Sequence, residues 1–327
     1  MKRKLSLLLC AALTLSLLAG CGPKNADNSS ASGSDSTSQS TSQNTEDRTQ
    51  VNLMVLSGPT GVGAAKLLSD NEAGTTLNDY NAEVVTDNSQ IQTALTSGEV
   101  DIAAIATNVA ANLSAQTDGS IQMLAVNTLG VLYILDKNVG VTSLADLSGK
   151  TIYATGKGAN PEYILNYLLT ENGVDPADVD IQWMTAQEVS AKMVSSEQAI
   201  CMLPVPAATS VMMQNADVRD AIDLNDVWQE VGAAGTFTMG CVVARTEFIE
   251  ENPQAVADFL TEYEASIDYM KDEANVDAAS ELVAQYKITP SAAIAAAAIP
   301  QCNLTFASGQ EMKDLVEGYF SALFQDN

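Results

Sequence analysis

One order of segments occurs twice in this chain of 327 residues. "VNLMVL" (51–56) leads into the Gly-rich "SGPTG", a helical stretch "VGAAKLLSD", the strand "NAEVVT" (81–86), the helix "SQIQTALTSG" (89–98) and the apolar run "VDIAAIA" (100–106), which ends in a polar loop. From about residue 150 the order returns as a strand at 150–154, "GKGANP", a helix, a further strand, "AQEVSAKMVSS" and "AICMLPVPA". The letters of the two halves match weakly, but their order matches throughout. Short apolar runs alternating with helical periodicity predict an α/β protein in which helices cover mainly parallel strands. Building the plan twice predicts two lobes, and about 277 residues beyond position 50 are enough for both.

The first Gly-rich turn poses a chemical question, because a strand, a turn and a helix are also the layout of a phosphate-binding loop. Gly58 and Gly63 have the spacing of that motif, but Ala64 and Ala65 stand where it needs Lys and Ser or Thr. Lys66 comes two positions late, about 200° around a helix of roughly 3.6 residues per turn. The turn keeps backbone N–H groups that face whatever lies beyond the strand, without the chemistry of an ATPase. A plain βα turn is the alternative.

The N-terminus fixes a compartment. Lys2, Arg3 and Lys4 precede the apolar "LSLLLCAALTLSLLA", a leader pattern too short for a stop-transfer helix. It ends in "LAGC", which resembles the lipobox of bacterial lipoproteins; the resemblance implies a signal peptide over 1–20, cleavage before Cys21 and lipidation of Cys21. Ordinary secretion is the alternative, and either route takes the chain out of the cytoplasm. The tract from 22 to 50 is polar and lacks aromatics, so it is expected to be a disordered tether with a span of roughly 30 Å.

Composition then excludes classes. The net charge of −26 argues against nucleic acid and anionic lipid surfaces as partners. The chain has no His, which removes a Ser-His-Asp triad, His-ligated zinc and imidazole base catalysis. Beyond Cys10 and Cys21 stand Cys201, Cys241 and Cys302, with no C-x-x-C pair, so no metal site and no disulfide framework is indicated. A single bridge between Cys241 and Cys302 is expected only as a weak option. The acids at 217, 220, 223 and 226 lack a calcium-loop pattern and read as a solvated face.

The last third opens with a strand, "FTMGCVVART" (237–246), followed by helices near 252–271, 275–286, 290–298 and 309–324. By this point three stretches carry a family resemblance: "LTSGEVDIAAIATNVAA", "VTSLADLSGKTIYATGKGANPEYILNYLLTENGVDPADVDI" and "FIEENPQAVADFLTEYEASIDYM". They resemble solute-binding proteins of ABC importers, nearest the binders of sulfonates, nitrate and thiamine precursors. "SLADLSGKTI" is particular to that superfamily and to no ligand. The resemblance implies a type II periplasmic-binding fold: two mixed sheets flanked by helices, joined by two hinge crossovers, with a cleft between. Lobe 1 would hold 51–133 plus 239–327, and lobe 2 would hold 134–238. It also implies a monomer that captures a small molecule without a cofactor or metal and hands it to an importer permease.

In open α/β sheets, ligands sit outside the carboxyl ends of the strands. On the first lobe these ends bring Ser57, Gly58, Pro59, Thr60 and Gly61, then Thr107 and Asn108, then Asn127 and Thr128. On the second they bring Gly156, Lys157, Gly158, Ala159 and Asn160, then Pro204, with Met239 at the return crossover. Glycines let a backbone approach closely, so the two Gly-rich loops are expected to grip the ligand through N–H groups, with Thr60 and Asn160 orienting it. Asn108 and Asn160 read equally well as helix caps. Lys157 is the one basic side chain in these loops and would serve an anion. A flat heterocycle would want aromatic walls, for which Tyr133, Tyr153, Tyr163 and Trp183 are candidates, Trp183 being as good a core residue. Two rival functions remain open: an enzyme of the same fold, which the missing His disfavours, and a structural or sensory surface lipoprotein without a transport role.

Overall fold

The computed structural model of the chain describes residues 48–232 and 235–323. The leader, Cys21 and the tether up to residue 47 lie outside the described residues.

The first strands are β1 (Gln50–Leu56), β2 (Asp79–Val85), β3 (Ile102–Ala106) and β4 (Ile121–Leu129). After Leu129 the chain crosses to a second sheet built from β5 (Leu132–Lys137), β6 (Thr151–Ala154), β7 (Asp180–Trp183), β8 (Ala199–Pro204) and β9 (Val218–Asp223). The helix Leu224–Glu230 then leads back to β10 (Thr238–Arg245), and β11 (Leu304–Ser308) follows near the end. The six-stranded sheet runs β11-β4-β10-β3-β1-β2 and the five-stranded sheet β7-β6-β8-β5-β9. Parallel pairs β1/β2, β1/β3, β6/β7 and β6/β8 coexist with antiparallel pairs around β10 and β5. Both sheets are therefore mixed, as the sequence implied.

Central strands read clearly because both their faces are covered. In β3, Ile102 to Ile105 are all buried, the continuous apolar pattern of a strand between helical layers. The helix Asn88–Ser97 shows the local logic at both ends: the Asp87 carboxylate accepts from Ser89 N at 2.8 Å, and Gly98 closes it at φ 79°. In the second sheet the buried Lys137 donates to the carbonyls of Met193 and Val194 at 2.9 and 3.1 Å. It thereby meets the negative end of the helix Ala186–Ser195.

Three details differ from the sequence reading. The helix expected to open after Gly61 starts earlier, as the short turn Pro59–Val62, and resumes as Ala65–Glu72. Pro59 supplies a preset φ for a first helical position. The acids read as a solvated face are exposed or half-buried, but Asp220 and Asp223 lie on β9, an edge strand that was not read and whose inward positions are Val218 and Ile222, with Asp217 just before it. Strand β11 was not read either. It too is an edge strand, with Ala307 its one fully buried residue, and such edges carry little apolar pattern.

The cores show how the halves are joined. One apolar cluster sits within the second sheet and its helices, and two lie on the first sheet. A further cluster spans both: Ala295, Ala298 and Cys302 of the Ala-rich segment pack with Val205, Ala208 and Val211 at the helix Ala207–Gln214. The last helix, Gly309–Leu323, starts with Met312 against Val126 and Ala307 and ends with Tyr319 and Ala322 among Trp228 and Phe237.

Candidate functional site

The carboxyl ends of β1 and β4 meet β10 in a buried polar cluster. Asn127 on β4 donates from Nδ2 to the Thr60 carbonyl at 3.0 Å and to the Tyr263 hydroxyl oxygen at 2.8 Å. Thr128 donates its hydroxyl to Asn127 Oδ1 at 3.0 Å, and its Oγ lies 3.5 Å from the Pro59 carbonyl. Burial pushes the Tyr263 phenol well above its ordinary range, so it stays protonated. Gly240 pairs with Thr128 across the sheet. A Cβ there would stand 2.5 Å from Asn127 Oδ1 and 2.7 Å from Thr60 Oγ, so only glycine permits this approach. Pro59, Thr60, Asn127 and Thr128 are thus brought together, and their hydrogen bonds go largely to one another.

On the second sheet, β6 ends in the loop that starts the helix Asn160–Glu171. Gly156 has φ 94°, and a Cβ on it would lie 2.4 Å from Pro161 Cγ. Gly158 also takes a positive φ but faces open space. Ala159 donates its N–H to the Gly156 carbonyl at 3.1 Å, which tightens the loop. Asn160 is 1% exposed, and its Nδ2 donates to the Thr238 carbonyl at 3.2 Å. That bond ties the second sheet's helix to the strand returning to the first.

Unpaired oxygens remain at this bond and at the end of β3. Asn160 Oδ1, Thr238 Oγ and Asn108 Oδ1 are all buried without a hydrogen-bond partner among the described residues. Asn108 stands in the first turn of the helix Thr107–Gln116, directly after β3. Ala106, just before that helix, pairs with Gly240 of β10 in antiparallel register. Buried polar atoms normally find partners, so the unpaired oxygens of Asn160 and Thr238, side by side at this bond, are the candidate ligand contacts.

Other expected residues fall differently. The Gly58 N–H is taken by the Ile288 carbonyl at 3.0 Å and the Ser57 N–H by the Val85 carbonyl at 2.7 Å. The Gly158 N–H donates to Glu162 Oε2 at 2.5 Å. The grip by these loop amides therefore has its donors already engaged inside the protein. Gly61 is a packing glycine, its Cβ position lying 2.3 Å from the Leu56 carbonyl. Thr107 is buried beside Asn108, Lys157 is exposed, Pro204 ends β8 opposite Leu132, and Met239 is half-buried between two apolar clusters. Of the aromatic candidates, Tyr133 is buried in the spanning cluster, Tyr153 lies under the Lys192 ammonium at 5.6 Å, Trp183 packs on the second core and Tyr163 is exposed.

The Cys241–Cys302 bridge does not form. Both are free and buried in different clusters, with Cys241 Sγ on the Ile105 carbonyl and Cys302 Sγ on the Ala298 carbonyl. The two side chains follow opposite layers, which residue spacing could not show. Among the described residues no group of three His, Cys, Asp or Glu side chains is placed to hold a metal ion. Sequence reasoning missed Thr238, Tyr263 and Glu162. Thr238 stood two residues before a glycine at the head of an apolar strand, which was a usable signal. Tyr263 sits within a long amphipathic helix and gave none.

The family model "NMT1/THI5 like" matches residues 121–275. No curated protein matches the sequence. Among solved structures, an ABC transporter protein from Parabacteroides distasonis superposes with a TM-score of 0.71 at 21% identity, covering 85% of this chain and 93% of that one. The periplasmic aliphatic sulphonate binding protein SsuA of Escherichia coli gives 0.64 at 15% identity over 80% and 82%. The periplasmic nitrate-binding protein NrtA of Synechocystis PCC 6803 gives 0.58 at 15% identity over 81% and 75%. These likenesses bear out the resemblance carried by "SLADLSGKTI" and its neighbours, and the fold is the type II periplasmic-binding fold.

Proposed function

We propose that this chain is an extracytoplasmic solute-binding lipoprotein that captures a small molecule between its two sheets and delivers it to an ABC importer permease. The observation that carries this reading is the buried junction of Asn160 and Thr238, where a helix of the second sheet meets the strand returning to the first and both side chains leave an oxygen unpaired. Residues 51–133 with 239–327 act as one lobe and 134–238 as the other, closing about the two stretches in which the chain passes between the sheets. Cys21 is the lipid-bearing residue, residues 22–50 the tether, and the working form a monomer. The ligand is a small sulfonate, a nitrate-like anion or a thiamine-precursor-like heterocycle. The chain binds and does not catalyse, since it has no His and nothing in the junction supplies a paired acid and base.

The test is release. Protein purified without denaturation is unfolded, and the small molecules set free are identified by mass spectrometry, while X-ray scattering follows compaction when they are returned. A protein that releases nothing and never changes its dimensions has a structural or sensory role instead. N-terminal peptide mass from membrane-extracted protein checks acylation of Cys21.

A further inference from the structure

The last helix, Gly309–Leu323, is attached to the two halves by different means. Its first end continues directly from β11, an edge strand of the six-stranded sheet, and Met312 packs there with Val126 and Ala307. Its far end belongs to the second half. Tyr319 is fully buried, with Ala322 beside it, in the cluster that holds Ile164, Leu168, Trp228 and Phe237. The Tyr319 ring stacks on Phe237 at 6.3 Å and lies 5.5 Å from Trp228, centroid to centroid.

Backbone meets backbone at the same place. Gly235, at φ 71°, lies in the stretch that returns the chain from the second sheet to β10. A Cβ there would stand 2.3 Å from Tyr319 N and 2.6 Å from the Gly318 carbonyl carbon, so the helix lies directly on the returning chain. Trp228 Nε1 donates to the Gly235 carbonyl at 3.3 Å and fixes that chain in turn.

A helix of 15 residues is a stiff rod of about 22 Å. With one end on each half, it resists any rotation of one half against the other. For the halves to turn, one end has to let go. The first end is joined covalently to a sheet strand. The far end is held by packing around Tyr319, whose hydroxyl has no partner among the described residues.

We infer that the far end of this helix is a latch on the second crossover: docked, it holds the halves in the arrangement seen here, and released, it lets them turn apart. The inference rests on the solute-binding reading for its purpose and on the packing alone for its mechanics. An equilibrium between two arrangements is set by the contacts that differ between them, and this docked end is made in only one of the two.

The test measures the halves in the ligand-free mature chain, with Cys21→Ser so that the anchor position takes no label. Glu99→Cys and Asp175→Cys, both exposed and one on each half, carry nitroxides, while the native thiols are buried. Pulsed electron resonance reads the distance between the labels. Tyr319→Ala is expected to shift the distribution to longer distances than in the parent. Tyr319→Phe should leave it unchanged, because the hydroxyl it removes has no partner. Ile91→Ala opens a cavity in a first-sheet cluster that the helix does not enter; it should lower the melting temperature and leave the distance alone. Should Tyr319→Ala not fold, Gly235→Ala decides, since its Cβ forces the helix off the returning chain and should give the same shift. A parent distribution in the variant that folds overturns the latch, as does an equal shift in Ile91→Ala. No ligand enters these measurements, so failure of the latch and failure of the solute-binding reading, which release tests, are told apart.

Discussion

Two of the seams along which the halves of the molecule meet are of opposite character. One is apolar, where Ala295, Ala298 and Cys302 pack with Val205, Ala208 and Val211. The other is polar, where Asn160 reaches the Thr238 carbonyl and oxygens of Asn160 and Thr238 lie buried and unpaired. The apolar seam gains its full benefit from exclusion of water and needs nothing further. The polar seam is incomplete on its own terms, because buried acceptors stabilise only when a donor arrives. What the difference teaches is a division of labour: the apolar seam holds the halves in register, and the polar seam leaves hydrogen-bonding capacity unmet at their junction.

Breaking the apolar seam should have the largest effect. Ala298→Asp places an unpaired carboxylate where the side chain is 1% exposed, and a loss of about 3–5 kcal/mol in urea unfolding is expected. A loss under about 1 kcal/mol would show that the seam separates easily. Gly240→Ala attacks the support of the polar seam. Its Cβ would force Asn127 and Thr60 apart, with an expected cost of about 2–3 kcal/mol by the same measurement. Gly158→Ala is the contrasting change in a loop that faces open space; its positive φ alone should cost about 1 kcal/mol. A Gly158 variant as damaging as the Gly240 variant would erase the distinction between the packed and the open glycine.

The smallest expected effect sharpens the comparison at β9, beside the apolar seam. Burial, with the neighbouring acids Asp223 and Asp226, raises the pKa of Asp220, and burial foremost raises that of Asp223. The folded state therefore holds their protons to higher pH than the unfolded chain does. As pH rises through the carboxylate range, the unfolded chain ionises first and stability falls. Thermal melts should show a modest gain in Tm from pH 7 to pH 5, reduced in Asp220→Asn. An unchanged slope in that variant would remove Asp220 from the account.

The central strands and the order of elements were legible because burial on two faces writes itself into the sequence, as in "VDIAAIA". The edge strands β9 and β11 were not. An edge strand is half solvated, so its acids resemble a surface face and its apolar residues are too few to set a period. Gly58, Gly158 and Asn160 show the same limit at the site. Sequence placed them at the ends of strands, but whether an N–H is free or already engaged depends on Ile288 and Glu162. For Ile288, that partner lies more than 200 residues away. Asn160 read as a cap or a ligand group, and it turned out to brace the crossing strand and leave an oxygen over.

The three free thiols among the described residues have a consequence of their own. Burial pushes Cys241 and Cys302 up to about 12 and Cys201 higher still, so almost no thiolate exists at neutral pH and alkylating reagents find nothing to attack. Cys302 and Cys201 lie in the cluster that spans the halves, and Cys241 lies in a layer of the first sheet alone. Each cysteine thus acts as a clock for its own surroundings. The rate at which a reagent modifies it counts how often that part of the protein opens, and the difference between Cys302 and Cys241 separates parting of the halves from unfolding of one of them.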